Sequence, residues 1–141
     1  MPSISSATAS ADAGRLVLRL MIGVLILFHG VAKLSGGVGP IAGMLSSHGL
    51  PAVFAYGAYV GEVVAPVLLV IGLWTRAAAL LVVANMLVAL ALVHMGELVQ
   101  INPKTGGLAV ELQMMYLWGA VAIALLGAGR FSVGGAAGRW N

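Results

Sequence analysis

The chain has 141 residues, of which 61% are hydrophobic and 8% charged, against about 25% charged in an ordinary soluble domain. Seven Lys or Arg, four Asp or Glu and a mean hydropathy of +1.07 leave too little polar matter to cover a water-facing surface, which excludes a soluble globular protein. At about 20 residues per helical span, four spans fit and a second domain does not, so residues 1–141 read as a single transmembrane domain. The net charge of +3 comes with no basic run and gives no sign of a nucleic-acid partner. Cysteine is absent, which removes disulfides, thiol chemistry, iron–sulfur clusters and thiolate metal sites together, and no metal site is expected.

Residues 1–14 are small and polar. The apolar run after them carries Arg19 and no small-residue cleavage site, so it reads as a retained first span and not a signal peptide. The first span is expected at 16–33, the second at 53–74, the third at 77–95 and the fourth at 108–128, all long enough to cross as helices. Open strands would leave backbone groups unpaired in hydrocarbon, and none of the segments alternates as a barrel strand does. The fold class is therefore all-α, an integral membrane four-helix bundle.

Between spans one and two, Pro40 offers a helix start, Ile41, Met44 and Leu45 one apolar face and Gly49 a stop. That pattern predicts a short helix lying in the membrane interface. Spans two and three have almost nothing between them and should form a tight antiparallel hairpin. One side of the bundle receives Arg15, Arg76, Arg130 and Arg139, with Arg19 one turn inside; the other receives Lys33 and Lys104. Positive charge stays inside, so both termini are expected in the cytoplasm of a multi-pass inner (plasma) membrane protein.

Ionisable groups within spans cost about 2.5 to 3.5 kcal/mol each at the helix centre, so each needs a partner, water or a route to the surface. With Arg19 at zero, Arg15 falls at about −40°, His29 at about −80° and Lys33 at about −40° around the first helix. One narrow stripe thus carries every cation of that span and should face the bundle interior or a wet cleft. Arg15 and Arg19 also have the alternative of reaching cytoplasmic headgroups, and Lys33 the outer ones. Span two holds one charge, Glu62, the most buried acid by position. Pro66 has no N–H for the Glu62 carbonyl, so a free backbone acceptor is expected beside the carboxylate. Ala55, Ala58 and Tyr59 share its face. Glu62 can lock onto Arg19 or Lys33, contact a ligand, or do both.

On span three, Arg76 and His94 are 18 residues apart and share a face, whereas Asn85 is nine from each and points the other way. On a straight helix Asn85 and His94 cannot line one pocket, and Asn85 is expected to bond a neighbouring helix. Span four opens with Glu111 and Gln113, followed by Tyr116 and Trp118 as interface anchors. With the termini inside, His29, Lys33, His94, Glu97 and Glu111 gather toward the outer end, with Glu62 just below. They describe a cleft with both signs of charge, fit for a small polar or redox-active molecule.

Leu18-Arg19-Leu20, Gly23, His29-Gly30 with Lys33, Gly49-Leu50-Pro51, Glu62, Leu69 to Leu73 with Arg76, His94, and Gly127 to Val133 together resemble the DoxX family of small four-helix membrane proteins. The resemblance runs from about Gly14 to Val133. It departs at Gly134, where the family often has an acidic residue after the Ser-hydrophobic pair. It implies membrane redox chemistry, because the family takes its name from the small subunit of a thiosulfate:quinone oxidoreductase and other members are associated with quinones and catechols.

In that reading the protein is a quinone-reactive or membrane-anchoring subunit of an oxidoreductase. Lys33, His29 or Arg19 hydrogen-bonds a quinone carbonyl, and Glu62 or His94 supplies the proton. Glu62, His29 and His94 are the candidate catalytic groups, and Arg19, Lys33, Glu62, Tyr59 and Arg76 the candidate substrate contacts. No covalently bound cofactor is expected, and quinone is the candidate ligand. Electrons must come from the substrate or from a soluble or membrane oxidoreductase partner. Two other readings stand beside it: a non-enzymatic assembly or scaffold protein whose charges are structural locks, and a small transporter working as a homo-oligomer.

Overall fold

The computed structural model describes residues 4–141. Helix α1 runs Ile4–Gly36, α2 Gly39–Ser47, α3 Ala52–Ile71, α4 Thr75–Val93 and α5 Glu111–Leu126. Among the described residues the architecture is all-helical, with a single isolated antiparallel bridge between Ile101 and Leu108. Helices α1, α3 and α4 are long and apolar enough to cross a membrane, and α5 is a shorter apolar helix of 16 residues. At 1.5 Å per residue α5 spans about 24 Å, less than the roughly 30 Å hydrocarbon core.

Two helix starts differ from the sequence expectation, and the hairpin agrees with it. The first helix is already formed at Ile4, well before residue 16, and residues 1–3 lie outside the described part. Its leading turns alternate Ala with Ser and Thr, and Ala is the strongest helix former. Asp12 and Arg15 then pair at 2.7 Å across one turn. Helix α5, expected as the fourth span from 108, starts at Glu111 because Leu108 is held in the bridge to Ile101. Helices α3 and α4 meet through Gly72, Leu73 and Trp74 alone, the tight hairpin expected between the second and third spans. Gly72 (φ 72°) and Trp74 (φ 46°) are both left-handed, which reverses the chain within three residues.

The short helix α2 forms where it was expected, with Pro40 in its first turn and Gly49 (φ 73°) beyond its end. It packs on the first turns of α3. The long helices close a ring in which α1 touches α3 and α5, and α4 touches α3 and α5. Ile22, Ile26, Leu69, Val82, Met86, Leu117 and Ile123 fill its centre. Around the outside Val17, Phe28, Leu34, Val64, Leu87, Met115, Trp118 and Leu125 are exposed. That inverted surface suits lipid, where helices associate through close packing and not by hiding apolar area from water. Small residues make the α1–α3 seam: a Cβ on Gly23 would lie 2.9 Å from Val70, and one on Gly30 2.0 Å from the Glu62 carbonyl oxygen.

The segment from Gly127 to Asn141 folds back under the hairpin. Val133 N–H bonds Ile71 O at 3.0 Å, and Gly134 N–H bonds Gly72 O at 2.9 Å, which satisfies carbonyls at the α3 terminus. Asn141 is buried, and its Oδ1 accepts from Thr75 N–H and Oγ1 at 3.3 and 3.2 Å.

Candidate functional site

The stripe of α1 resolves into two separate polar centres at opposite ends. Arg19, Gly23, Ile26, Gly30 and Lys33 recur every three or four residues and lie along the α3 seam, but 14 residues, about 21 Å of helix, divide Arg19 from Lys33.

At the end carrying the hairpin and the tail, Arg19 is 1% exposed and donates from Nη2 to Phe131 O at 2.6 Å. It is held inside by the tail and does not reach out to headgroups. Arg76 donates from Nε to Asn141 O at 3.2 Å and from Nη1 to Ala124 O and Leu125 O at 2.9 and 3.1 Å. Both arginines thereby tie chain segments together through carbonyls. Arg15 pairs with Asp12, which is as buried as Glu62 at 8% exposure and escaped the sequence reading because it precedes the apolar run.

At the other end Lys33 Nζ donates to Glu62 Oε2, and Asn85 Nδ2 donates to Glu62 Oε1 at 3.2 Å. The carboxylate thus accepts from α1 and α4 at once, and of the two partners considered for Glu62 the structure selects Lys33. Asn85 does bond a neighbouring helix, as its depth suggested. Tyr59 lies outside the cavity, in a small cluster under α2, where its hydroxyl donates to Lys33 O at 3.2 Å. It anchors the C-terminal turn of α1.

The α3 backbone around Glu62 is not regular. Val60–Val64 forms a π-helical turn in which Ala65 N–H reaches Val60 O, five residues back. Such a turn relieves the clash that Pro66 would otherwise make one turn earlier. The Glu62 carbonyl that Pro66 leaves without its usual donor is covered by the backbone of Gly30 and is not open to a ligand.

The polar network faces a cavity of about 260 Å³ lined from α1 by His29 and Lys33, from α2 by Met44, from α3 by Glu62, from α4 by Asn85 and, just past its end, by His94, and from α5 by Gln113 and Tyr116. Asn85 and His94 therefore line one cavity, against the expectation for a straight helix. The reason is that α4 ends at Val93: His94 has φ −114° and ψ 11°, so its side chain leaves the helical register. Tyr116 is 7% exposed and stands edge-on to His29 at 5.9 Å, so it belongs to the cavity wall and not to an interface belt. Glu111 is not part of the lining, although the two residues after it, Leu112 and Gln113, reach the cavity.

His94 connects the cavity with the exterior. Gln113 Nε2 approaches His94 Nε2 at 3.2 Å, and His94 Nδ1 approaches Glu97 Oε2 at 2.7 Å. The ring thus stands between the Gln113 carboxamide on the cavity wall and the Glu97 carboxylate beyond it. The Glu97 side chain is 48% exposed. Gln113 was the residue least visible in the sequence, where the only signal was its three-residue spacing from Tyr116. Among the described residues no group of three or more His, Asp or Glu is placed to hold a metal ion.

Of the candidate residues, the structure thus brings together Glu62, Lys33, His29 and His94, and leaves Arg19, Arg76 and Tyr59 outside. Chemically, the cavity offers an ammonium donor, a carboxylate, two carboxamides, two imidazoles and a phenol on otherwise apolar walls.

Compared with protein-family models, residues 14–95 match the model described as DoxX, more than half of the chain. The chain belongs to the DoxX family. No curated protein and no solved structure matches it. The DoxX match takes in Arg19, His29, Lys33, Glu62, Arg76, Asn85 and His94. It stops before α5, so the cavity wall formed by Gln113 and Tyr116 lies beyond the matched region, as does the stretch Gly127 to Val133.

Proposed function

We propose that this DoxX protein is a four-helix membrane bundle that binds a quinone-type head group in the Glu62 cavity and serves as a membrane subunit of an oxidoreductase system. The observation that carries the reading is the Lys33–Glu62–Asn85 network on the wall of a cavity that also holds both His29 and His94. Lys33 and Glu62 cancel in charge, so the cavity favours a neutral head with carbonyl or hydroxyl groups over an ion. Lys33 or His29 donates to a quinone carbonyl. Reduction to the quinol consumes two electrons and two protons; the electrons come from an associated oxidoreductase, and the protons come from water, each taken up by His94 or Glu62 before it is passed to the ring. Glu97, bonded to His94 and half exposed, is the point of exchange with water.

In this arrangement α5 is the fourth, short span, and both termini face the cytoplasm of the inner membrane. Arg15, Arg76, Arg130 and Arg139 then mark the inner face, with Trp74, Phe131 and Trp140 exposed among them, as interfacial aromatics are. The α2 helix rests on the outer face.

A second reading is favoured by the same ion pair: Lys33 and Glu62 join α1 to α3, as a purely structural lock in a scaffold protein would. Extraction of the protein purified in mild detergent separates the two. A membrane quinone recovered near one per chain, and lost from Glu62→Gln and Lys33→Met, supports the binding reading. A chain free of quinone that instead co-purifies with a stable partner protein supports the scaffold.

A further inference from the structure

A second depression adjoins the polar cavity. It is a groove of about 620 Å³ between α3 and α4 beneath α2, and Asn85 is the only polar side chain in its lining. The groove exists because small residues stand where helices usually touch: Gly57 and Ala58 on α3, Ala84 and Ala91 on α4. In membrane helices such residues normally bring backbones together. Here they leave space instead.

Groove and cavity share Ile41, Asn85, Val88 and Leu92. Asn85, Val88 and Leu92 fall at i, i+3 and i+7 of α4, so they form one ridge with a polar chamber on one flank and an apolar trough on the other. Asn85 stands at its deep end, wedged between two consecutive residues of α3. A Cβ on Gly61 would lie 2.5 Å from the Asn85 side chain, which itself donates to Glu62.

An apolar trough of this size in a bilayer fills with hydrocarbon, and its continuity with a polar chamber selects whose. We infer that the groove holds the single hydrocarbon chain of the same membrane-dissolved amphiphile whose compact, neutral head sits at Glu62, the chain crossing the ridge at Asn85. This rests on the head-group reading above and deepens it: the ligand class is a long-tailed quinone or quinol. A phospholipid is disfavoured because its anionic phosphate would meet the Glu62 carboxylate in a chamber of about 260 Å³ whose charges already cancel.

The experiment measures binding of a tail-free benzoquinone and of its decyl homologue to the purified full chain at one fixed detergent concentration, with Gly57→Leu and Ala84→Phe as groove-filling variants. A Cβ on Gly57 meets nothing within 4 Å, so the leucine enters open space and the fold is retained; thermal unfolding of both variants verifies this. The expected result is that the decyl homologue binds wild type about tenfold more tightly than the tail-free ring, and that either folded variant removes this advantage while tail-free binding stays unchanged. Equal affinity of the two ligands for wild type, or variants that leave the decyl advantage intact, overturns the groove assignment and leaves the head-group reading standing. If neither ligand binds wild type, the head-group reading fails and the groove assignment falls with it.

Discussion

Gly30 and Glu62 meet backbone to backbone, so closely that a Cβ on Gly30 would stand 2.0 Å from the Glu62 carbonyl oxygen and 2.7 Å from its carbonyl carbon. The obstacle is main chain and cannot swing aside, so a larger residue must push α1 away from α3. That shift would also draw Lys33, one turn further along α1, off Glu62. Gly30→Ala is therefore expected to cost about 1–3 kcal/mol, as over-packing does, read as a lower thermal midpoint in detergent. Gly36→Ala, on the same helix with nothing within 4 Å of its Cβ, should leave the midpoint almost unchanged.

The Lys33–Glu62 pair allows lock and site to be told apart. Removing one partner leaves the other partly buried and uncompensated, and each single variant, Lys33→Met or Glu62→Gln, should lose about 1–3 kcal/mol, discounted because the Lys33 side chain is 28% exposed. In the double variant most of the stability should return. If ligand binding returns with it, the charges are only a lock; the binding reading requires that binding stay lost.

At the opposite end, Gly72 is constrained twice. Its φ of 72° favours glycine, and a Cβ would lie 1.7 Å from Arg19 Nη1 and 2.5 Å from Ser132 Cβ. Gly72→Ala should cost clearly more than the roughly 1–2 kcal/mol of a left-handed residue alone. Gly135→Ala, with φ 68° and open space, isolates that backbone component. Equal losses for the two variants in thermal unfolding would mean that Arg19 is not packed against the hairpin.

Topology is open to direct labelling because the chain has no native cysteine. Ser47→Cys, exposed at the end of α2, should react with a membrane-impermeant thiol reagent added outside intact cells. Val133→Cys, at a position 74% exposed in the tail, should react only after the membrane is opened. The reverse pattern would place the Glu62 cavity toward the cytoplasm.

Much of this was legible before any coordinates. Hydropathy located the helices, and the cost of charge in a membrane drew attention to Arg19, His29, Lys33 and Glu62. The cavity is harder to foresee, because it depends on an irregularity: α4 ends at Val93, and His94 beyond it lines the same cavity as Asn85, while helical arithmetic sets the two on opposite sides. Arg19 and Arg76 carried charge in the right places and still belong to the other end. Their partners are carbonyls of Ala124, Leu125, Phe131 and Asn141, and backbone oxygens give no sequence signal. Asp12 was hidden likewise, since its partner Arg15 was read as a headgroup contact.

The most direct test of the central claim is photo-crosslinking with an azido-quinone, followed by mass-spectrometric location of the labelled peptides in the purified protein. The account predicts adducts on the peptides that carry His29 to Lys33, Glu62 and His94, competed away by unmodified quinone and absent from Glu62→Gln. Labelling that is confined to the end around Arg19 and Arg76, or that persists unchanged in Glu62→Gln, would contradict it.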